Sequence, residues 1–451
     1  MKRLNIISIL VFATSAISAQ NYYYFRGEQM PLIEKDGNDN SRAINDESVF
    51  YDERGMELIP TGYLYVKLNE LADSVSLQNL AQEQQLQIVN HDEYMPLWYT
   101  LQVTTQPKEM ALSIANFIYE TGDFAAAEPD FSFDALQISY DPDVRKQWNL
   151  CNMTSVGDDV DISRAWTYAS GRGVKIAIID NGIDVNHVDL KDNIIMTYNC
   201  DYSGYPIPVG DHGTHCAGIA AAVRNNGIFV TGVAPDAKIM AAGMDFRYPK
   251  ERVVAGLARA INWASRNGAD VISCSWSSPF SDKIADALDD AILNGRNGKG
   301  CIIVCAAGNA ILDEWGNVIN NDMAFPANYR EEVIAVGATD VNGSLAIFSS
   351  IGDNMFICAP GDAIWSTFPN DEIAVESGTS MACPHVAGVV ALMLERNPTL
   401  TIDEVRQILA VNTSGIPALC DTEENEFGIW SPQAGYGRVN AYEAIRNTPK
   451  P

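Results

Sequence analysis

The feature that most constrains this chain is a repeating texture that begins near residue 140 of its 451. Short, almost continuously apolar runs at 174–180, 238–244, 270–277, 301–308, 333–338 and 355–361 alternate with segments of helical spacing at 212–224, 252–266, 282–294, 380–395, 402–410 and 440–445. A strand that is apolar throughout must be covered on both faces. Alternation with helices achieves this with a parallel sheet. The fold class is therefore α/β: a doubly wound, mostly parallel sheet with helices on both faces. In such sheets sites form at the carboxyl ends of strands, so the polar residues that close the apolar runs are the first candidates for chemistry.

The chain upstream has a different character. Residues 61–135 read as strand 62–68, helix 76–85, strands 87–90 and 98–104, helix 108–119 and strand 125–133, an α+β unit of ferredoxin-like order. Residues 20–58 are polar and acidic and open on a Tyr-rich, β-prone run broken by Gly27, which predicts a hairpin. At the start, Lys2 and Arg3 precede an apolar run over 4–18 and then Ala19. That pattern reads as a secretory signal peptide over 1–19. The run is short for a membrane span, no Cys closes it as in a lipoprotein, and no later stretch reaches about 18 uninterrupted apolar residues. A soluble exported protein is expected, secreted or periplasmic, without stable membrane insertion.

Composition narrows the partners. A net charge of −28 repels phosphate backbones, so nucleic acid is excluded as a partner class. Nine Cys is an odd number, so at least one thiol is free or paired between molecules. Cys216, Cys274, Cys305, Cys358 and Cys383 lie in apolar or Gly/Ala-rich runs and read as small buried hydrophobes. Cys151, Cys200 and Cys420 lie in irregular segments and are the disulfide candidates, with the pairing open.

Four polar residues stand where chemistry is expected. Asp180 ends an apolar strand, a position that also suits a turn cap. His212 opens the segment His212-Gly213-Thr214-His215-Cys216. A helix start disfavours imidazolium and suits a neutral base; the pair His212 and His215 also reads as a possible metal pair. Ser380 sits at a helix start between small residues, with Pro384 expected in an early helical turn. Asn309 closes the run Ala306-Ala307-Gly308, as a turn residue or as a donor to a developing oxyanion. Together they supply a nucleophile, a base, a carboxylate to orient it and an oxyanion donor, in the chain order Asp, His, Ser.

Residues 174–184, 212–220, 306–309 and 377–388 resemble the four signature blocks of the subtilisin family of serine peptidases, and the likeness extends over about 140–447. It implies that Asp180 orients His212, that His212 deprotonates Ser380, and that Asn309 with the Ser380 amide holds the oxyanion. Asn181 departs from the family's usual Ser or Thr. Cys216, directly after the second His, places the chain near the thiol-containing branch that resembles proteinase K and thermitase. Residues 61–135 resemble the family's inhibitory prodomain, which implies a propeptide over 20–139 that acts as an intramolecular inhibitor and is cut within about 133–140, and a catalytic domain over 140–451. A permanent second domain is the other reading of this segment.

The resemblance extends to ligands. Ser275, Trp276 and Ser277 match the edge that takes the substrate backbone as an added strand, and Ala306, Ala307 and Gly308 match the other wall of the specificity pocket. That lining is small and uncharged, which favours apolar or broad specificity, although Trp276 resembles the basic-cutting convertases at its position. Asp189, the Asn226 side chain and the carbonyls of Arg224, Ile228 and Val230 match a structural Ca²⁺ site; an ordinary solvated loop is the other reading. The expected function is a monomeric, exported serine endopeptidase that hydrolyses polypeptides and is made as a self-processing zymogen. A catalytically idle binding protein of the same fold is the alternative. A serine esterase of the α/β-hydrolase type is disfavoured by chain order and by the absence of G-x-S-x-G around Ser380. Residues 417–434 read as a surface insertion.

Overall fold

The computed structural model describes residues 22–25, 28–34, 50–51, 57–91, 95–104, 107–108, 110–132, 139–152, 159–201, 204–313, 315, 318–417, 419 and 421–451. The signal-peptide segment, Cys420 and most of the expected cleavage window lie outside these. The chain divides into two compact units, Met1–Leu136 and Gln137–Pro451.

In the first unit, strands Glu57–Lys67, Leu86–His91, Trp98–Val103 and Ala126–Ser132 alternate with helices Ser74–Glu83 and Met110–Glu120 in β-α-β-β-α-β order. Ala126–Ser132 and Trp98–Val103 flank Glu57–Lys67, and Leu86–His91 pairs with Trp98–Val103, all antiparallel. Leu64, Val66, Leu101, Ile114 and Ile118 form the core between sheet and helices. Alternation does the sorting: Leu64 and Val66 are buried while Tyr65 between them is exposed. Strand Tyr22–Phe25 pairs antiparallel with Glu28–Pro31. Two-residue strands Ile33–Glu34 and Phe50–Tyr51 extend the main sheet; they are too short to carry a period in the sequence.

The second unit is built on nine strands: β1 (Lys175–Asp180), β2 (Ile194–Asn199), β3 (Lys238–Gly243), β4 (Val271–Cys274), β5 (Ile302–Ala306), β6 (Ile334–Thr339), β7 (Met355–Pro360), β8 (Thr413–Ser414) and β9 (Arg438–Val439). Their spatial order is 2-3-1-4-5-6-7-9-8. All neighbours are parallel except β8 and β9. Its helices of six residues or more are α1 (Asp211–Ala221), α2 (Lys250–Arg266), α3 (Asp282–Gly298), α4 (Thr379–Arg396), α5 (Ile402–Val411) and α6 (Ala441–Arg446). The backbone of α3 leaves helical geometry at Gly295–Asn297, next to the end expected at Asn294. Edge strand β2 is absent from the sequence reading because it lies at the sheet margin and its apolar run, Ile194-Ile195-Met196, is short.

From β1 the chain builds β3 and β2 on one side and β4 to β7 on the other. The winding direction reverses between β1 and β4, and a crevice opens at the carboxyl ends of those two strands. Helix α4 crosses behind it with 15 of 18 residues buried, so it is apolar all round rather than striped. Among the described residues the eight Cys are free thiols, and Cys151 and Cys200 do not pair. Cys200 is buried where β2 ends, not in an irregular surface segment.

Candidate active site

Asp180, the last residue of β1, has a fully enclosed side chain. Its Oδ1 accepts the Nδ1–H of His212 at 2.8 Å and the Asn181 amide at 2.6 Å. Its Oδ2 is buried without a hydrogen bond among the described residues. His212 is the second residue of α1. Asp180 fixes the tautomer with Nδ1 protonated, which leaves Nε2 as the acceptor. The nearby carboxylate raises the imidazole above its usual range, against the opposing effect of burial. The expectation that the helix start keeps His212 neutral is thus outweighed by Asp180.

Asn181 joins the two elements. Its Oδ1 accepts the Gly213 amide at 3.0 Å and its Nδ2 donates to Asp211 Oδ1 at 2.8 Å. The residue that departs from the family pattern thus ties the end of β1 to the start of α1. Gly213 permits that junction, because a Cβ there would collide with the Gly182 carbonyl and lie 2.8 Å from Asp180 Cβ. His215 gives Nε2–H to the Ala374 carbonyl at 3.1 Å and is fully buried. It takes no part in the crevice, so the reading of His212 and His215 as a metal pair falls.

Ser380 is the second residue of α4. Its Oγ donates to the Ser275 carbonyl at 3.1 Å, not to His212. Pro384, four residues on, is the sixth residue of the helix and lies in its second turn. Having no N–H, it leaves the Ser380 carbonyl without the usual helical donor. Two side chains take that carbonyl instead: Ser275 Oγ at 2.9 Å and Cys216 Sγ at 3.4 Å. Ser275 and Ser380 thus grip each other reciprocally, and the backbone of Ser380 is tied both to the residue that follows β4 and to α1. Cys216 is fully buried, with Sγ 3.9 Å from His212 Nδ1, and burial pushes its thiol pKa up.

Asn309 lies beyond the end of β5. Its Oδ1 accepts the Thr379 amide at 2.9 Å and the Thr379 hydroxyl at 3.1 Å. That pins the amide orientation and leaves Nδ2 without an acceptor among the described residues, beside the first turn of α4. The Ser380 N–H is one of the first helix amides that lack an intrahelical acceptor. Thr379 was not singled out in the sequence, where it reads as one more small residue beside the Ser.

A cleft of about 270 Å³ is lined by Asp180, Asn181, His212, Phe246, Ser275, Trp276 and Ser277. The predicted residues Ser275, Trp276 and Ser277 are thus gathered beside the Asp–His pair, with Phe246 as an addition. Ala306, Ala307 and Gly308 do not line it; they leave β5 next to β4, where Cys305 pairs with Cys274.

Of the predicted metal residues, Asp189 is fully buried. It accepts Asn226 Nδ2 at 2.7 Å and the Val230 amide at 3.1 Å. The Arg224–Val230 loop also wraps a second buried carboxylate that the sequence reading left out. Asp141 accepts the amides of Asn225 at 2.8 Å and Gly227 at 2.9 Å. Burial, with added repulsion from Asp141, pushes Asp189 up to about 7. The Arg224 guanidinium stacks over Trp166 at 4.3 Å. A donor set of two buried carboxylates, one amide side chain and loop carbonyls suits a hard divalent cation such as Ca²⁺.

Comparison with known proteins agrees with this geometry. The family model described as "Subtilase family" matches residues 171–437. A "Calcium-dependent protease" of Nostoc sp. is 34% identical over 351 residues, 66% of this chain and 51% of that protein. Thermitase of Thermoactinomyces vulgaris is 36% identical over 288 residues, 64% of this chain and 94% of thermitase. A solved protease structure from Pseudoalteromonas arctica superposes with a TM-score of 0.55 at 28% identity, covering 69% of this chain and all of that one. The chain thus spans about half the length of the Nostoc relative.

Proposed function

The chain belongs to the subtilase family, and from that premise we propose that it is a serine endopeptidase that hydrolyses peptide bonds through an acyl-enzyme on Ser380. The observation that carries the reading is the 2.8 Å bond from His212 to the enclosed Asp180, set beside a Ser at a helix start. In the reaction the Ser380 hydroxyl turns from the Ser275 carbonyl to His212 Nε2 and gives up its proton as Oγ attacks the scissile carbonyl. Asp180 stabilises the imidazolium that forms. Asn309 Nδ2 and the Ser380 N–H donate to the oxyanion, and their fixed orientation is where most of the rate enhancement resides. His212 then returns the proton to the leaving amine, and water repeats the sequence on the acyl-enzyme. The substrate backbone lies along Ser275–Ser277 as an added strand.

The same reading covers the upstream segments. Residues 1–19 direct export to the periplasm or the exterior. Residues 20–139 act as an inhibitory propeptide that the enzyme removes itself; the α+β order of the first unit supports this. Bound Ca²⁺ would brace the Arg224–Val230 loop, with Asp141, Asp189, Asn226 and the carbonyls of Arg224, Ile228 and Val230 as its holders. One experiment tests the core of the proposal. Wild type should react with an active-site fluorophosphonate, cut casein and lose about 13 kDa on a gel, the size of residues 20–139. Ser380→Ala should do none of these. Equal processing in both would rule out self-cleavage, and an inert wild type would favour the binding-protein alternative.

A further inference from the structure

His212 lines the cleft described above, and the hairpin of strands Ile364–Phe368 and Glu372–Glu376 is not among its lining. That hairpin is fastened to α1: Ser366 Oγ donates to the His215 carbonyl at 2.7 Å, Thr367 Oγ1 to the Thr214 carbonyl at 2.8 Å, and His215 Nε2 to the Ala374 carbonyl at 3.1 Å. Its last residue, Glu376, stands four positions before Ser380 and is half-buried. The Glu376 carboxylate is in electrostatic reach of His212, Asp211 and Asp180. Among the described residues it forms no salt bridge and accepts no hydrogen bond. Asp211 beside it is held by Asn181 Nδ2 and the His212 amide and also lacks a cation.

This places negative charge where the leaving group goes. His212 must protonate the leaving amine, so the residue after the scissile bond passes close to His212, within electrostatic reach of the end of this hairpin. We propose that Glu376 is a specificity-determining residue that selects a lysine or arginine side chain directly after the scissile bond. A cation there meets two carboxylates and displaces no existing partner, whereas an acidic side chain meets repulsion in a partly desolvated place. The inference rests on the peptidase reading and deepens it by naming a substrate class.

The test uses the mature enzyme with three internally quenched peptides that differ only after the scissile bond, as Lys, Ala or Glu. Wild type should cleave the Lys peptide with a kcat/KM roughly tenfold above the Glu peptide. Glu376→Gln should bring the three within about twofold, and Glu376→Lys should invert the order, since a partial charge pair is worth this much and no more. A flat wild-type profile, or a Lys preference that survives in Glu376→Gln, overturns the inference. A peptide anilide with no residue after the scissile bond separates the two readings. Its turnover by wild type alongside a flat profile sinks only the role of Glu376, and no turnover of any substrate sinks the peptidase reading with it.

Discussion

Asp180 gives one oxygen to His212 and keeps the other buried and unshared, so the imidazole depends on a single carboxylate for both orientation and charge. Asp180→Asn should lower kcat by about 10⁴, because the amide favours the wrong tautomer. Since the carboxylate raises the His212 pKa, its removal should move the acid limb of the pH–rate profile to lower pH; an unmoved limb would contradict the pairing. A second histidine titrates in the opposite sense. His385 is buried on α4, gives Nδ1–H to the Met381 carbonyl at 2.8 Å and accepts Asn149 Nδ2 at 2.7 Å. Burial lowers it to about 4. Its folded pKa lies below the unfolded value of about 6.5, so the unfolded chain binds the proton first and stability is lost as pH falls between these values. From pH 7 to 4.5 wild type should lose about 2 kcal/mol more than His385→Gln in urea melts; parallel losses would refute it. Asp180, His212, Asn309 and Ser380 were legible in the sequence because each stands at the start or the end of a run whose period marks it as strand or helix. Thr379, Asp141 and Glu376 were not, because what they do is set by contact with distant elements.

At the scale of elements, the site exists because α1 docks against the end of β1, and that docking depends on a missing side chain. Gly213→Ala would push the helix start off the Gly182 carbonyl and open the Asp180–His212 bond. Overpacking of this kind costs typically 1–3 kcal/mol. The expected outcome is a fall in kcat of at least tenfold with a lower melting temperature; a variant with wild-type kcat would show that the close approach is dispensable. Pro384 works by a comparable subtraction, freeing the Ser380 carbonyl for Ser275 and Cys216. The six central strands and six helices could be read from their apolar runs because burial on both faces dictates the composition. Edge strand β2, the two-residue β8 and β9, and the hairpin beside α1 could not, because each is set by neighbours already in place.

Across the whole molecule, acidity is divided almost equally between two segments of unequal length: residues 20–139 carry −14 and residues 140–451 carry −16. Two segments of like charge gain nothing from net electrostatics, so an inhibitory role for the first must rest on shape and backbone pairing. Within the second, that field makes a buried anion costly, and Asp141 and Asp189 are two of them in one loop system. A divalent cation removes the cost, and because it binds the folded chain alone it adds stability with concentration: about 2.7 kcal/mol at a hundred times its dissociation constant. For a unit of this size that is on the order of 4 °C in melting temperature. Excess chelator should therefore lower the melting temperature of wild type by several degrees, and added Ca²⁺ should restore it. Asp189→Asn should melt at one temperature with or without chelator, since the loop has lost the carboxylate that makes the ion worth holding. A wild-type melting curve indifferent to both chelator and Ca²⁺ would mean that the amides of Asn225, Gly227 and Val230 satisfy the two carboxylates unaided.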